Sequence, residues 1–232
     1  MSLIPAPLRE GFERLLAPLV DRLVESRTSP NAITTVGTSV TVLSGVAFAA
    51  GGARLGAALL LLSGVCDMLD GRVARTAGTT SPFGAFYDST LDRVGESALF
   101  AGIALYFVSG GVSPALMPWA VGAAIAALAA GLLVSYARAR AEGLGLECKV
   151  GIAQRAERIL GLGAPTLFFG AGPGGLLLLG IVAVLAVIAG VTVVQRIVHV
   201  HRVTRTGPSR TTQARQYSEV TGFTMKGTRG ER

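Results

Sequence analysis

The chain has 232 residues, of which half are hydrophobic and 15% charged, and its mean hydropathy is +0.56. The apolar residues come in runs of about 20, the length of a bilayer-spanning helix, so the composition excludes an ordinary soluble domain. It predicts an all-α, polytopic membrane protein. The formal net charge of +7 goes with arginines concentrated in a few segments, which indicates attraction to anionic lipid and not to nucleic acid.

The first 30 residues predict an amphipathic helix. Apolar residues recur near helical spacing from Leu8 to Leu23, and charged residues such as Arg9 and Asp21 lie between them. This pattern is typical of an interfacial helix on the inner membrane surface. A cytosolic helix packed on the bundle is an equally good interpretation.

Six apolar segments follow and predict six transmembrane helices in a membrane domain over residues 31–200. The predicted spans are Ala32–Gly51, Gly56–Arg72, Phe83–Val108, Ala115–Ala137, Ile159–Gly170 and Leu176–Val198. The 31 glycines suit close helix packing in lipid. The fifth span is short and glycine-rich, and we expect its helix to extend back through Arg155 into the cytosol.

The basic residues orient these spans. The links over residues 109–114 and 171–175 carry no charge, and the link between the first two spans holds only Arg54. Nearly all other arginines and both lysines lie in the N-terminal segment, the remaining links and the tail, which therefore face the cytosol. We expect a multi-pass protein of the plasma membrane with both termini cytoplasmic. Residues 201–232 predict a disordered basic tail that touches lipid headgroups.

Two aspartate pairs lie inside this apolar sequence. Asp67 and Asp70 are three residues apart, and Asp88 and Asp92 are four apart, so each pair lies on one face of its helix. The short polar link over residues 78–82 brings the pairs to the same depth. A carboxylate at membrane depth costs at least about 2.5 kcal/mol on insertion scales, so four of them require a cation. Oxygen-only ligands favour Mg²⁺ or Mn²⁺.

Gly71 and Arg75 extend this site toward phosphate. Gly71 leaves room for a ligand beside the backbone, and Arg75, one helical turn later, offers a planar fork to phosphate oxygens. Together with the acid pairs they predict a diphosphate ligand held by one or two metal ions, and a carboxylate not needed as a ligand could be the general base. The alternative is that the aspartates form structural ion pairs with Arg72, Arg75 and Arg93.

The residues from Asp67 to Asp92 fill every fixed position of the pattern D-x2-D-G-x2-A-R-x8-G-x3-D-x3-D. This pattern resembles the signature of the CDP-alcohol phosphotransferases, and the similarity runs from about Ser29 to Arg196. The resemblance implies six transmembrane helices, an N-terminal interfacial helix, a homodimer and two divalent metal ions per active site. It also implies transfer of a phosphatidyl or similar group from a CDP-linked donor to an alcohol, with release of CMP.

The resemblance also implies roles for individual residues. Asp67, Asp70 and Asp88 are implied as metal ligands, and Asp92 as a metal ligand that also takes the proton of the acceptor hydroxyl. The residues implied in binding the CDP-lipid are Asn31, Ala32, Ile33, Thr34, Gly71, Arg75 and Ser81. The first four also predict a helix start, because Pro30 precedes polar residues.

Three arginines at the expected cytosolic ends of spans bear on the acceptor. Arg138 closes the fourth span, Arg155 precedes the fifth and Arg196 ends the sixth. Three guanidinium groups suit an acceptor that already carries a phosphate. Arginines at the cytosolic ends of spans are also typical membrane anchors, which is the role that we expect for Arg158. Their surroundings resemble those of actinobacterial phosphatidylinositol phosphate synthases and archaeal archaetidylinositol phosphate synthases. That resemblance implies CDP-diacylglycerol as donor and inositol 1-phosphate as acceptor.

Other functions stay open at this point. Glycerol 3-phosphate also carries a phosphate, and as acceptor it would make the protein a phosphatidylglycerophosphate synthase, whereas serine brings no phosphate. Acidic residues in membrane helices also occur in proton-coupled transporters, which do not need Gly71 and Arg75 at fixed offsets. Intramembrane prenyltransferases use paired acidic motifs as well, but on spans well separated in sequence.

Overall fold

The computed structural model describes residues 6–148, 150–151 and 155–206. Seven α-helices make up most of this part of the chain: α1 (Ala6–Glu25), α2 (Pro30–Ala49), α3 (Ala53–Thr76), α4 (Pro82–Tyr106), α5 (Met117–Glu142), α6 (Arg155–Phe169) and α7 (Leu176–Thr206). A π-helical turn, Phe107–Gly111, continues α4, and a 3-10 turn, Pro173–Gly175, precedes α7. The described residues contain no strand, which confirms the all-α class.

Within the described part of the chain, four helical segments are long and apolar enough to cross a membrane: Pro30–Ala49, Pro82–Gly111, Met117–Glu142 and Pro173–Arg205. They support the prediction of a membrane protein. The other two predicted spans are also helical, but α3 carries both of the first aspartates and three arginines, and α6 has only 15 residues. Helix α6 includes Arg155, as expected. Most of the predicted basic tail, residues 207–232, lies outside the described residues, and residues 201–206 continue α7.

Helices α2 and α4 are in direct backbone contact. A Cβ atom at Gly45 would collide with the backbone at Ala98, and one at Gly102 would collide with the backbone at Gly45. Such close approach requires glycine on both helices, as is common for helices packed in lipid. Helix α3 also packs on α2, so α2 contacts both helices that carry the aspartates.

Helix α1 packs against α3 beside the first aspartate pair. Leu16 and Val20 on α1 are buried with Leu69 and Val73 on α3 and with Ile33 at the start of α2. Leu15, by contrast, is 73% exposed. The buried face places α1 and the turn after it next to Asp70 and Gly71. The exposed leucine lies on a second apolar face of α1, which does not pack against the other described helices.

Candidate active site

The link between α3 and α4 brings the two aspartate pairs together. It turns at Gly78, whose φ of 64° favours glycine, and α4 then begins at Pro82. Ser81 has extended backbone, and its Oγ accepts a hydrogen bond of 3.0 Å from the Gly84 N–H, which makes it the N-cap of α4. Pro82 at the start of the helix has no N–H, which removes one of the donors that a helix N-terminus cannot pair internally. The cap therefore sets where α4 starts and which face carries Asp88.

Three carboxylates from two helices form an acidic cluster. One oxygen from each of Asp67, Asp88 and Asp92 lies within 4.8 Å of the others. Oδ1 of Asp88 is buried and accepts no hydrogen bond from the described residues. Carboxylates this close repel one another, and a buried acceptor without a partner is costly, so the cluster is suited to a cation. A set of carboxylate oxygens fits Mg²⁺ or Mn²⁺.

Two arginines balance part of this negative charge. Arg155, the first residue of α6, donates a 2.9 Å hydrogen bond to Oδ1 of Asp67 and also pairs with Asp92. Nη2 of Arg93 lies 3.6 Å from Oδ2 of Asp92. Arg93 was expected only under the ion-pair alternative, whereas Arg155 was expected at the acceptor. The contacts of Arg155 bring it to the cluster itself.

Asp70 lies apart from the three clustered carboxylates. Its side chain is buried and accepts a 2.7 Å hydrogen bond from the Thr34 hydroxyl on α2. The compact cluster thus contains three of the four carboxylates expected to converge, while Asp70 is held toward α2 and its role as a metal ligand stays a prediction. The reason is tertiary: Thr34 provides a donor that the spacing along α3 cannot reveal.

A cleft of about 760 Å³ opens beside the cluster. It is bordered by the α1–α2 turn, the start of α2, the end of α3, the link and the start of α4. Residues that line it include Arg27, Ser29, Asn31, Thr34, Asp70, Gly71, Arg75, Ser81, Gly84 and Asp88. Five of the seven residues implied in binding the CDP-lipid are among them. The other two are not, because Ala32 is exposed outside the cleft and Ile33 is buried against α1.

Glycines keep the floor of this cleft open. A Cβ atom at Gly71 would lie 3.2 Å from Nη1 of Arg75, so the guanidinium group folds over the glycine. A Cβ atom at Gly84 would lie 3.5 Å from Oδ1 of Asn31. Polar side chains from three segments thus surround a space that the two glycines leave empty. Such a space suits a ligand with phosphate groups.

Arg138 and Arg196 lie elsewhere, at the same end of α5 and α7. Nε of Arg138 donates a 2.8 Å hydrogen bond to Oε1 of Glu142, and both side chains are about half exposed. Arg196 donates to two backbone carbonyl oxygens, those of Val134 and Val150. Neither arginine contacts an aspartate of the cluster in the hydrogen bonds and ion pairs of the described residues. Their joint role with Arg155 at an acceptor phosphate stays a prediction.

Glu96 lies outside the motif but belongs to the site's surroundings. It follows Asp92 by one helical turn, and its carboxylate accepts hydrogen bonds of 2.5 Å from Arg93 and 2.7 Å from Arg158. Arg158 was expected to be a membrane anchor, but its side chain is largely buried in this pair. The sequence signal for Glu96 was its i, i+4 spacing from Asp92, an additional acid on the same face of an otherwise apolar helix.

Residues 27–203 match the family model of the CDP-alcohol phosphatidyltransferases. The chain belongs to this family. It is 43% identical to the phosphatidylinositol phosphate synthase of Cutibacterium acnes over 66% of this chain and 72% of that protein. It is 42% identical to the archaetidylinositol phosphate synthase of Methanothermobacter thermautotrophicus over 66% of this chain and 71% of that protein.

The solved structures of the Mycobacterium tuberculosis phosphatidylinositol phosphate synthase are similar in fold. The structure with CDP-DAG bound has a TM-score of 0.70 at 29% identity, and the match covers 81% of this chain and 94% of that one. The structure with manganese and citrate has a TM-score of 0.69 and covers 79% and 87%.

Membership in the family makes this chain a membrane-bound transferase of phospholipid biosynthesis. The acidic cluster and the manganese in the related structure both indicate that it uses a divalent metal ion. The transporter and prenyltransferase alternatives are set aside by the same membership.

Proposed function

We propose that this enzyme transfers the phosphatidyl group of CDP-diacylglycerol to inositol 1-phosphate, giving phosphatidylinositol phosphate and CMP. The observation that carries the proposal is the acidic cluster of Asp67, Asp88 and Asp92 at the edge of a cleft lined by Gly71 and Arg75. The names of the relatives support the acceptor, and the related structure with CDP-DAG supports the donor.

In the membrane, α2 to α7 form six spans, and α1 lies on the inner surface with its exposed leucines toward lipid. Both termini face the cytosol of a plasma-membrane protein, because the basic residues concentrate on that side. Helix α7 has 31 residues and rises about 46 Å at about 1.5 Å per residue, longer than a hydrocarbon core of about 30 Å. Its last turns therefore stand in the cytosol, ahead of the basic tail. The resemblance to the family supports a homodimer.

Asp67, Asp88 and Asp92 are the residues that would hold Mg²⁺ or Mn²⁺, with two ions per active site when Asp70 also takes part. A metal bound there would polarise the phosphorus and stabilise the leaving CMP. On the side of the cleft, Arg75 would pair with the diphosphate, and Asn31, Thr34 and Ser81 would bind other polar groups of the CDP-lipid. The backbone of Ala32 and Ile33 completes that segment.

The acceptor approaches from α6. Asp70 and Asp88 line the donor cleft, whereas Asp92 pairs with Arg155 on α6. Arg155 would bind the phosphate of the acceptor, and Arg138 and Arg196 would contribute more weakly from the ends of α5 and α7. The Asp92 carboxylate would take the proton of the acceptor hydroxyl as the oxygen bonds to the lipid-side phosphorus. The bond from that phosphorus to the bridging oxygen breaks, and CMP leaves with Arg75 balancing its charge.

A covalent aspartyl intermediate is the second mechanistic candidate. It predicts exchange of labelled CMP into the CDP-lipid without any acceptor, whereas direct displacement predicts none.

Acceptor competition tests the proposed function. Purified protein with CDP-diacylglycerol receives inositol 1-phosphate, glycerol 3-phosphate, serine or inositol, and released CMP is measured with and without a chelator. We expect metal-dependent release that is fastest with inositol 1-phosphate. Fastest release with glycerol 3-phosphate would instead identify a phosphatidylglycerophosphate synthase. Absence of metal-dependent release with every alcohol would overturn the proposal.

A further inference from the structure

Helices α4 and α6 are joined by two ion pairs, one above the other. Asp92 and Glu96 lie on one face of α4 because they are four residues apart, and Arg155 and Arg158 lie on one face of α6 because they are three apart. Arg155 pairs with Asp92, and Arg158 with Glu96. The first pair belongs to the proposed reaction. The second lies one turn away, and neither of its members lines the donor cleft.

The second pair is enclosed. The side chains of Glu96 and Arg158 are 12% and 14% exposed, and the carboxylate of Glu96 also accepts a hydrogen bond from Arg93. A buried carboxylate that compensates two guanidinium groups is costly to remove, because the arginines lose the acceptor that balances them. Glu96 is therefore the shared anchor of Arg93 on α4 and Arg158 on α6.

Helix α5 closes over this pair at Gly131. A Cβ atom at Gly131 would lie 2.5 Å from Oε1 of Glu96 and 2.7 Å from Nη1 of Arg158, closer than side chains approach. The pair thus fills the space left by the missing side chain. Glu96, Arg155 and Arg158 also line one small cavity of about 40 Å³, which has room for only a few water molecules.

We propose that Glu96 is a positioning residue for the acceptor. By holding Arg158 against Gly131 it fixes the first turn of α6, and with it the position of Arg155 beside Asp92. The inference rests on the proposed function, because Arg155 is there the ligand of the acceptor phosphate. Glu96 itself contacts no substrate and acts through Arg158.

The first test is the kinetics of Glu96→Gln, which keeps the shape of the side chain and removes its charge. We expect the KM for inositol 1-phosphate to rise about tenfold, with the KM for CDP-diacylglycerol unchanged within about twofold, because a misplaced guanidinium group weakens only the contact that it makes. Glu96→Asp keeps the charge and should recover most of this loss. A purely structural role would lower kcat through a smaller folded fraction and leave both KM values unchanged, which would overturn the inference.

A second variant reaches the same pair from another helix. Gly131→Ala places a methyl group against Glu96 and Arg158 without removing any charge, and we expect the same selective rise in the acceptor KM. Gly122 lies on α5 as well, but a Cβ atom there meets nothing within 4 Å, so Gly122→Ala is the matched control and should behave as the wild type. Equal kinetics for the two alanine variants would contradict the inference.

Hydrogen–deuterium exchange separates this inference from the proposed reaction. In Glu96→Gln and Gly131→Ala, the amides in the first two turns of α6 should exchange faster than in the wild type and in Gly122→Ala. If the wild type releases no CMP with inositol 1-phosphate while this difference is seen, the proposed function fails and the anchoring of α6 by Glu96 stands. If the wild type is active and α6 exchanges equally in all four proteins, the anchoring fails and the proposed function stands.

Discussion

The two halves of the proposed site are built differently. The donor side consists of the cleft residues of α2, α3 and α4, which come from two short stretches of chain and meet around glycines. The acceptor side consists of Asp92, Glu96, Arg155 and Arg158, which α4 and α6 bring together from distant parts of the chain through ion pairs. A local motif can encode the first half. The second half depends on how α5 packs on α4 and α6 packs on α3, and its contacts are ion pairs.

The largest effect should come from Asp92, which belongs both to the acidic cluster and to the acceptor side. In Asp92→Asn we expect CMP release to fall by about a thousandfold or more, because general base catalysis contributes about 10²–10⁴ and a metal ligand is weakened as well. Binding of CDP-diacylglycerol should persist, since Asp92 does not line the donor cleft. Turnover and lipid binding are measured on the same preparation. Near-normal turnover would remove Asp92 from the role of base.

Arg155→Gln should break the acceptor side alone. A charge-assisted hydrogen bond contributes about 1.5–3 kcal/mol, so the KM for inositol 1-phosphate should rise about tenfold to a hundredfold. The KM for CDP-diacylglycerol should change little. Arg155→Lys keeps the charge without the planar fork, so its KM for inositol 1-phosphate should lie between those of the wild type and Arg155→Gln. Equal increases in both KM values would mean that Arg155 is not specific to the acceptor.

Arg75→Gln should break the donor side alone. Arg75 lines the cleft with its guanidinium group over Gly71, so its loss should raise the KM for CDP-diacylglycerol about tenfold. The KM for the acceptor should stay within about twofold of the wild type. Steady-state kinetics with each substrate varied in turn gives both values. An effect mainly on the acceptor would contradict the division into two sides.

The smallest effect is expected from Arg138→Gln. Its side chain is 49% exposed and pairs with Glu142, and exposed ion pairs contribute about 0–1 kcal/mol. We therefore expect an increase of about threefold or less in the acceptor KM and no change for the donor. An increase as large as that of Arg155→Gln would extend the acceptor side to the end of α5.

Much of the lining of the cleft could be predicted from the sequence because its constraints are local, while the role of these residues in binding the donor stays a prediction. The spacing from Asp67 to Asp92 follows helical periodicity, and the proline at the start of α2 marks the beginning of a helix. Each of these signals lies within a single segment of the chain. Five of the seven residues expected in the cleft line it. Ile33 faces away because α1 covers it, and no pattern within residues 31–34 carries that information.

The acceptor side was predicted less well because it depends on packing. Arg155 was expected near a phosphate, but its contacts with Asp67 and Asp92 follow from the placement of α6 beside α3. Glu96 and Arg158 lie 62 positions apart in the chain, and the space for their pair exists only because Gly131 of a third helix lacks a side chain. Neither requirement can be read from helical periodicity.

The contact between Gly45 and Gly102 has a consequence for how a lipid reaches the site. Because the backbones of α2 and α4 touch at these glycines, no side chain separates the two helices that carry Thr34 and Asp88. Helix α1 is attached to the bundle by a few apolar side chains, and the turn after it places Arg27, a non-glycine residue with φ of 54°, at the rim of the cleft. We expect the lipid substrate, with its two acyl chains, to enter laterally from the inner leaflet by displacing α1, without separation of α2 from α4.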